Sequence, residues 1–320
     1  MINTVTVTNE AGNVLVMDLR DPDASGFLVH DISGLGPGST EIRQSDLASL
    51  PGSIFTNSRK PARNIVFNLK LLWASTVEEC RHLAELYFPL GRKISMRFDG
   101  NDRLSTIDGY VESNEPVIFS TKSDCGIDCQ VSVICTDPTF KAIDYKTLFD
   151  EGLDGGFYFE FPRPTDEFYD VDDYDETYGS PNRYRLSMSN LTTDRSNILL
   201  EYNGTAETGC VFQLYLNQAA QKVKVINDRT GAMIYITLSE EDKLMPGDFL
   251  NISTIQGDKS VTIWRDGLEI NALKYVSAES DFDGMLLTKG INHFRVICDY
   301  SEATFGTDVN IKYREAYWSV

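Results

Sequence analysis

Apolar and polar residues alternate most clearly from Ile65 to Trp73. Ile65, Phe67, Leu69, Leu71 and Trp73 take every second position, and Asn64, Asn68 and Lys70 mark the opposite face, which Val66 and Leu72 blur. A period of two is that of a strand with one face buried. The period then changes: Val77, Cys80, Leu83, Ala84, Tyr87 and Phe88 form one stripe at helical spacing, with Glu78, Arg81, His82 and Glu85 opposite and Leu86 as the exception. Ser75 or Thr76, each with a glutamate three residues on, has the capping-box spacing. Pro89 and Gly91 stop the helix, and Ile94, Met96 and Phe98 resume alternation. One helix is thus inserted among strands.

Before this stretch, Val5 and Val7 alternate, Gly12 turns the chain, and Val14 to Met17 return as a hairpin. Residues 21 to 58 are rich in glycine and proline around a short apolar run, Phe27 to Ile32, which predicts extended loops. After the helix, Asp99-Gly100 and Asp108-Gly109 are turn signals. Strands are expected at Ile107 to Val111, at Val117 to Phe119 around Pro116, and at Ile127 to Cys135, with Asp137-Pro138 ending the region. From Asn182 onward, short alternating runs recur with turns every eight to twelve residues, among them Val211 to Leu216, Phe249 to Ile255, Val261 to Trp264 and Val309 to Tyr313. That spacing predicts a β-sandwich. The expected organisation is an N-terminal β domain with one inserted helix over 1–140, an acidic extended segment over 141–182, and a C-terminal sandwich over 183–320.

The 48 acids and 29 bases of the 320 residues leave a net charge of −19, which repels phosphate backbones and argues against specific nucleic-acid binding. The polar start MINTVTVTNE is not a signal peptide, and no run approaches the roughly 20 apolar residues of a membrane span. A chain that folds in a cytoplasm, with no membrane insertion, is expected. Cys129 and Cys135 share a strand face about 20 Å apart, beyond disulfide reach. The Cys125-x3-Cys129 spacing is not that of a zinc knuckle. Buried free thiols are therefore expected, with no metal and no cofactor.

The segment 166–176, DEFYDVDDYDE, holds seven acids and no base. It reads as a solvated, self-repelling linker; a calcium loop fails because Tyr174 takes a ligand position and no glycine follows it. The three histidines, His30, His82 and His293, have no nucleophile motif beside them, and no hydrolase elbow, zincin motif or nucleotide loop is present. The sequons at Asn190, Asn203 and Asn251 carry no weight without a secretory signal. Arg59, Lys60 and Arg63 precede the long strand; they read either as a solvated loop or as partners of an acidic neighbouring subunit. Trp264 and Trp318, with the many tyrosines, suit either a sandwich core or a carbohydrate groove.

Taken in order, the loop at Gly52, SRKPARNIVFNLKLLW, EECRHLAELYFPLGRKISMRF and the strand series ending VSVICTDPTF resemble the distal tail protein family of long-tailed bacteriophages. Arg63, Arg81, Leu83 and the closing Asp137, Pro138 and Phe140 are the points of match. In the second half they are Asn203-Gly204, Ile226-Asn227 to Thr230-Gly231, Pro246-Gly247-Asp248, Lys259-Ser260-Val261, Gly290-Ile291-Asn292, and Tyr313-Arg314 with Tyr317. The resemblance implies a non-enzymatic virion component at the tail tip. Its N-terminal domain, sandwich-like or barrel-like, would build a homohexameric ring, and its C-terminal sandwich would be galectin-like or carbohydrate-module-like. Expected partners are the tail tube protein, the tail-tip hub and receptor-binding or baseplate proteins. Two alternatives stand beside this: an adhesion module that binds a host cell-wall glycan, and a glycan-degrading tail enzyme with paired carboxylates. The acidic segment 166–176 departs from the family pattern.

Overall fold

A computed structural model describes residues 2–46, 51–72, 77–117, 126–150, 158–162, 183–187, 197–216, 219–300 and 307–320. The chain is mainly β and divides into two units. One comprises Met1–Tyr145 with Asn203–Glu207 and Arg314–Val320; the other comprises Lys146–Tyr202 and Thr208–Tyr313. Ser75, Thr76, Cys125 and the acidic run 166–176 lie outside the described residues.

In the first unit, the expected hairpin is β1 (Ile2–Asn9) and β2 (Val14–Asp18), turned through Gly12 at φ 83°. The strands β3 (Phe27–Ser33), β4 (Glu41–Asp46), β5 (Ser53–Arg59) and β6 (Arg63–Leu71) follow, then the helix α1 (Val77–Tyr87). After it come β7 (Lys93–Gly100), β8 (Leu104–Pro116), β9 (Ile127–Cys135) and β10 (Phe140–Ala142). One antiparallel, barrel-like sheet runs in the order β2-β1-β7-β8-β9-β6-β3, with β10 bonded to β8 and to the C-terminal strand Ala316–Tyr317.

The core follows the predicted alternation. Ile65, Phe67, Leu69 and Leu71 of β6 are buried, as are Val131, Val133 and Cys135 of β9. The stripe of α1 meets this face through Cys80, Ala84 and Phe88, and Leu86 is exposed as its phase requires. Carbonyls at the end of a helix run short of partners within it; here the Asn114 side chain donates to Phe88 O at 3.0 Å and also to Ala84 O at 2.9 Å, which accepts the Phe88 N–H as well, and Asn9 donates to Leu86 O at 2.7 Å.

One expectation is corrected. Residues 21 to 58 contain β3, β4 and β5 rather than loops alone. Every residue of β4 and β5 is exposed, so no burial alternation marks them in the sequence. The strand expected at Ile107 to Val111 lies within β8, which runs on to Pro116; of the strand expected at Val117 to Phe119, residues 118 and 119 lie outside the described residues.

The second unit is a sandwich. A six-stranded sheet runs β11-β22-β15-β18-β19-β20 and a four-stranded one β14-β21-β16-β17. In chain order these are β11 (Lys146–Asp150), β12 (Tyr158–Pro162), β13 (Arg183–Ser187), β14 (Asn197–Tyr202), β15 (Cys210–Leu216), β16 (Ala220–Asn227), β17 (Met233–Thr237), β18 (Phe249–Ser253), β19 (Ser260–Arg265), β20 (Leu268–Asn271), β21 (Gly290–Tyr300) and β22 (Thr307–Tyr313). The strands β12 and β13 pair only with each other. The inner faces close on one core in which Phe212 of β15 meets Phe294 of β21 edge-on, with centroids 5.1 Å apart.

Candidate functional site

The basic cluster singled out by sequence lies where β5 passes into β6. Arg63 opens β6 in phase with Ile65 and Phe67, so its side chain points inward and is 92 % buried (8 % exposed). A buried guanidinium must spend its donors. Arg63 Nε donates to Pro138 O at 2.9 Å and Nη2 to Trp318 O at 2.8 Å, while Nη1 is shared between the carbonyls of Gly34 and Gly36. The guanidinium also lies 4.7 Å from the Phe140 ring centroid. Burial pulls its pKa below the usual arginine value, opposed by the nearby Cys135. Cys135 is itself pushed up to about 12, chiefly by burial, so its thiol stays neutral.

The carbonyl cradle is built by local sequence. Gly34 has φ 85°, and a Cβ there would stand 2.1 Å from Asn64 O; glycine is required on both counts. Past β9, the Asp137 carboxylate accepts from the Thr139 N–H at 3.1 Å and its hydroxyl at 2.6 Å, and pairs with Lys141 at 2.8 Å. Burial raises the Asp137 pKa, but the Lys141 ammonium and the Thr139 donors outweigh it and the net shift is downward. This turn presents Pro138 O to Arg63 and sets Phe140 edge-on against Phe98. The C-terminal segment closes the ring of contacts: Ala316–Tyr317 pairs with β10, Arg314 Nε donates to Ala142 O at 2.6 Å, and the guanidinium of Arg103 lies over the Tyr317 ring.

The other two basic residues are placed differently. Lys60 is half-buried; its ammonium donates to Pro37 O at 3.3 Å and lies 4.3 Å from the Trp318 ring centroid. Arg59 is exposed at the end of β5. A recess of about 140 Å³ beside them, lined by Gly34, Lys60, Arg63 and Pro138 among others, is smaller than the several hundred Å³ of ordinary ligand pockets. This corner is therefore suited to packing and contact. Of the two tryptophans named as groove candidates, Trp318 belongs to the first unit, under Lys60, and Trp264 to the outer face of β19 in the second. The role of the Gly34, Gly36 and Trp318 carbonyls was missed by sequence reasoning, since backbone acceptors leave no residue-type signal.

The hairpin of β4 and β5 ends in this corner. It exposes Ile42, Ile54 and Phe55 by 64, 57 and 62 % and gives no side chain to the core. Among the described residues, no group of His, Cys, Asp and Glu is arranged to hold a metal, and no helix is long and apolar enough to cross a membrane.

In fold class the chain is mainly β, with a barrel-like sheet carrying one helix in the first unit and a two-sheet sandwich in the second. Residues 203–317 match the family model of the siphovirus-type tail component, C-terminal domain. The whole fold is similar to the crystal structure of the SPP1 Dit (gp 19.1) protein, described as a paradigm of the hub adsorption apparatus in phages that infect Gram-positive hosts. That match has a TM-score of 0.59 and 13 % identity, and covers 97 % of this chain and 98 % of that one. A chain of the phage P2 baseplate in its calcium-activated conformation is more distant, with a TM-score of 0.46 at 13 % identity over 98 % of both. No curated protein sequence matches. The resemblance to distal tail proteins is thus borne out by a sequence match in the second half and by the fold.

Proposed function

We propose that this chain is a structural, non-enzymatic component of the tail of a long-tailed phage. In this reading six copies close into a ring at the tail tip, between the tail tube and the hub and baseplate proteins. The observation that carries it is the match of residues 203–317 to the siphovirus-type tail component domain. Residues 1–140 would build the ring, 141–182 would link, and 183–320, as a galectin-like sandwich, would offer the docking face.

The hairpin Glu41–Arg59 supports ring closure. A two-stranded hairpin is marginally stable alone in water, and edge strands with exposed Ile42, Ile54 and Phe55 call for a cover. A heterologous contact in which each copy lends this hairpin to the next generates a ring when the rotation between copies closes. Arg59 and Lys60 at its foot would meet an acidic surface of the neighbour, as a chain of net charge −19 can supply. Arg63 would act indirectly, by fixing the corner from which the hairpin leaves. Immunogold labelling of intact virions with antibody against this chain tests the placement. Label at the distal end of the tail is expected; label on the capsid, or none on tails that react after disruption, would overturn it.

A further inference from the structure

The outward face of the six-stranded sheet in the second unit carries an ordered array. Trp264 stands opposite Phe249, and Phe249 opposite Tyr215. These residues are out of phase with the buried Ile263, Leu250 and Leu214 of the same strands, so they form one row across β19, β18 and β15. At sheet spacing the row is about 10 Å long, the length of a disaccharide. The Tyr215 and Phe249 rings lie 4.8 Å apart at 50°, and Phe249 and Trp264 are 47 and 41 % exposed. Two residues along each strand, register sets a second row of Thr262, Asn251, Gln213 and Asn310. Its amides are fixed end to end: Asn310 Nδ2 donates to Gln213 Oε1 and Gln213 Nε2 to Asn251 Oδ1, each at 3.2 Å. Asn310 Oδ1 is buried with no hydrogen-bond partner among the described residues.

An aromatic row offers flat faces to the C–H side of a pyranose ring, and a held amide row beside it offers donors and acceptors to the hydroxyls at the ring edge. A stable protein interface instead centres on an apolar core, and here the next row is amide. Charge narrows the ligand further. Neither row carries a charged residue, and the aromatic row is bounded by Glu269, opposite Trp264, and Asp308, opposite Tyr215. Those carboxylates repel an anionic polymer.

We propose that this face binds an uncharged polysaccharide chain lying along Tyr215, Phe249 and Trp264. The inference does not depend on ring formation. It is tested with the full chain by affinity electrophoresis through gels containing a soluble β-glucan, a galactomannan or a dextran, with polygalacturonate as the anionic probe. At least one neutral polymer retards the protein, and Trp264→Ala and Phe249→Ala each weaken that binding about tenfold or more, as loss of a central aromatic does. Gln213→Ala, which leaves the aromatics in place, weakens it less. Passage through all three neutral gels without retardation, retardation by polygalacturonate alone, or equal retardation of wild type and Trp264→Ala would each overturn it. Light scattering on the same variants separates the two claims, because a lost ring with retained retardation leaves this one standing.

Discussion

Replacing Arg63 with methionine keeps the apolar stem out to about the Nε position and removes every donor of the guanidinium from the corner of the first unit. Four carbonyls, of Gly34, Gly36, Pro138 and Trp318, then lose a charged partner. A hydrogen bond to a charged group contributes about 1.5–3 kcal/mol, and a buried acceptor left empty costs a similar amount. The four do not add, since they share one group. The recess of about 140 Å³ beside Arg63 also gives water a route to the Gly34 and Pro138 side. A net loss of about 3 kcal/mol follows, the upper end of that range, since four acceptors are emptied but no unpaired charge is left behind. Urea unfolding followed by near-ultraviolet circular dichroism measures it. Arg63→Lys retains the charge without the planar fork and is expected to fall between wild type and methionine. A methionine variant within about 0.5 kcal/mol of wild type, the range of ordinary surface changes, would refute the brace.

Other consequences are as direct. Asn114→Leu leaves the Phe88 carbonyl without its side-chain donor and the Ala84 carbonyl with the Phe88 N–H alone and is expected to cost about 1–3 kcal/mol, read as a lower urea midpoint at unchanged slope. Burial raises Cys129 to about 11 and Cys135 and Cys210 to about 12 from an ordinary value of 9.0. Their contribution to stability is therefore whole below pH 9 and declines as pH rises toward 12; iodoacetamide at pH 8.5 should label these three only after unfolding, and peptide mapping that finds label on any of the three in the native chain would contradict their burial. The double reversal Arg59→Glu and Lys60→Glu should weaken ring assembly, measured by light scattering against concentration, while leaving the unfolding free energy within about 0.5 kcal/mol; an unchanged ring would remove both residues from the interface.

Much of this was legible in the chain. The period-two runs at Ile65 to Leu71 and Val261 to Trp264 mark both strands and their buried faces, and the stripe from Cys80 to Phe88 marks the helix, because each such element buries one face. The same phase rule already contains two site facts. Arg63 is in step with Ile65 and so points in; Trp264 is in step with Thr262 and so points out. What one sequence does not carry is pairing between distant strands. The junction of Arg63 with Pro138 and Trp318, and the row of Trp264, Phe249 and Tyr215, exist only once register is set. The β4–β5 hairpin was hidden for another reason: with both faces exposed, its residues have no alternation to show.

Ring closure is the claim on which the proposed function turns, and the mass of the purified chain in solution tests it most directly. Light scattering should give six times the 35.9 kDa of one chain, in particles that negative stain shows as rings with a central hole. A mass of one chain at every concentration reached, with no ring in the images, would contradict it.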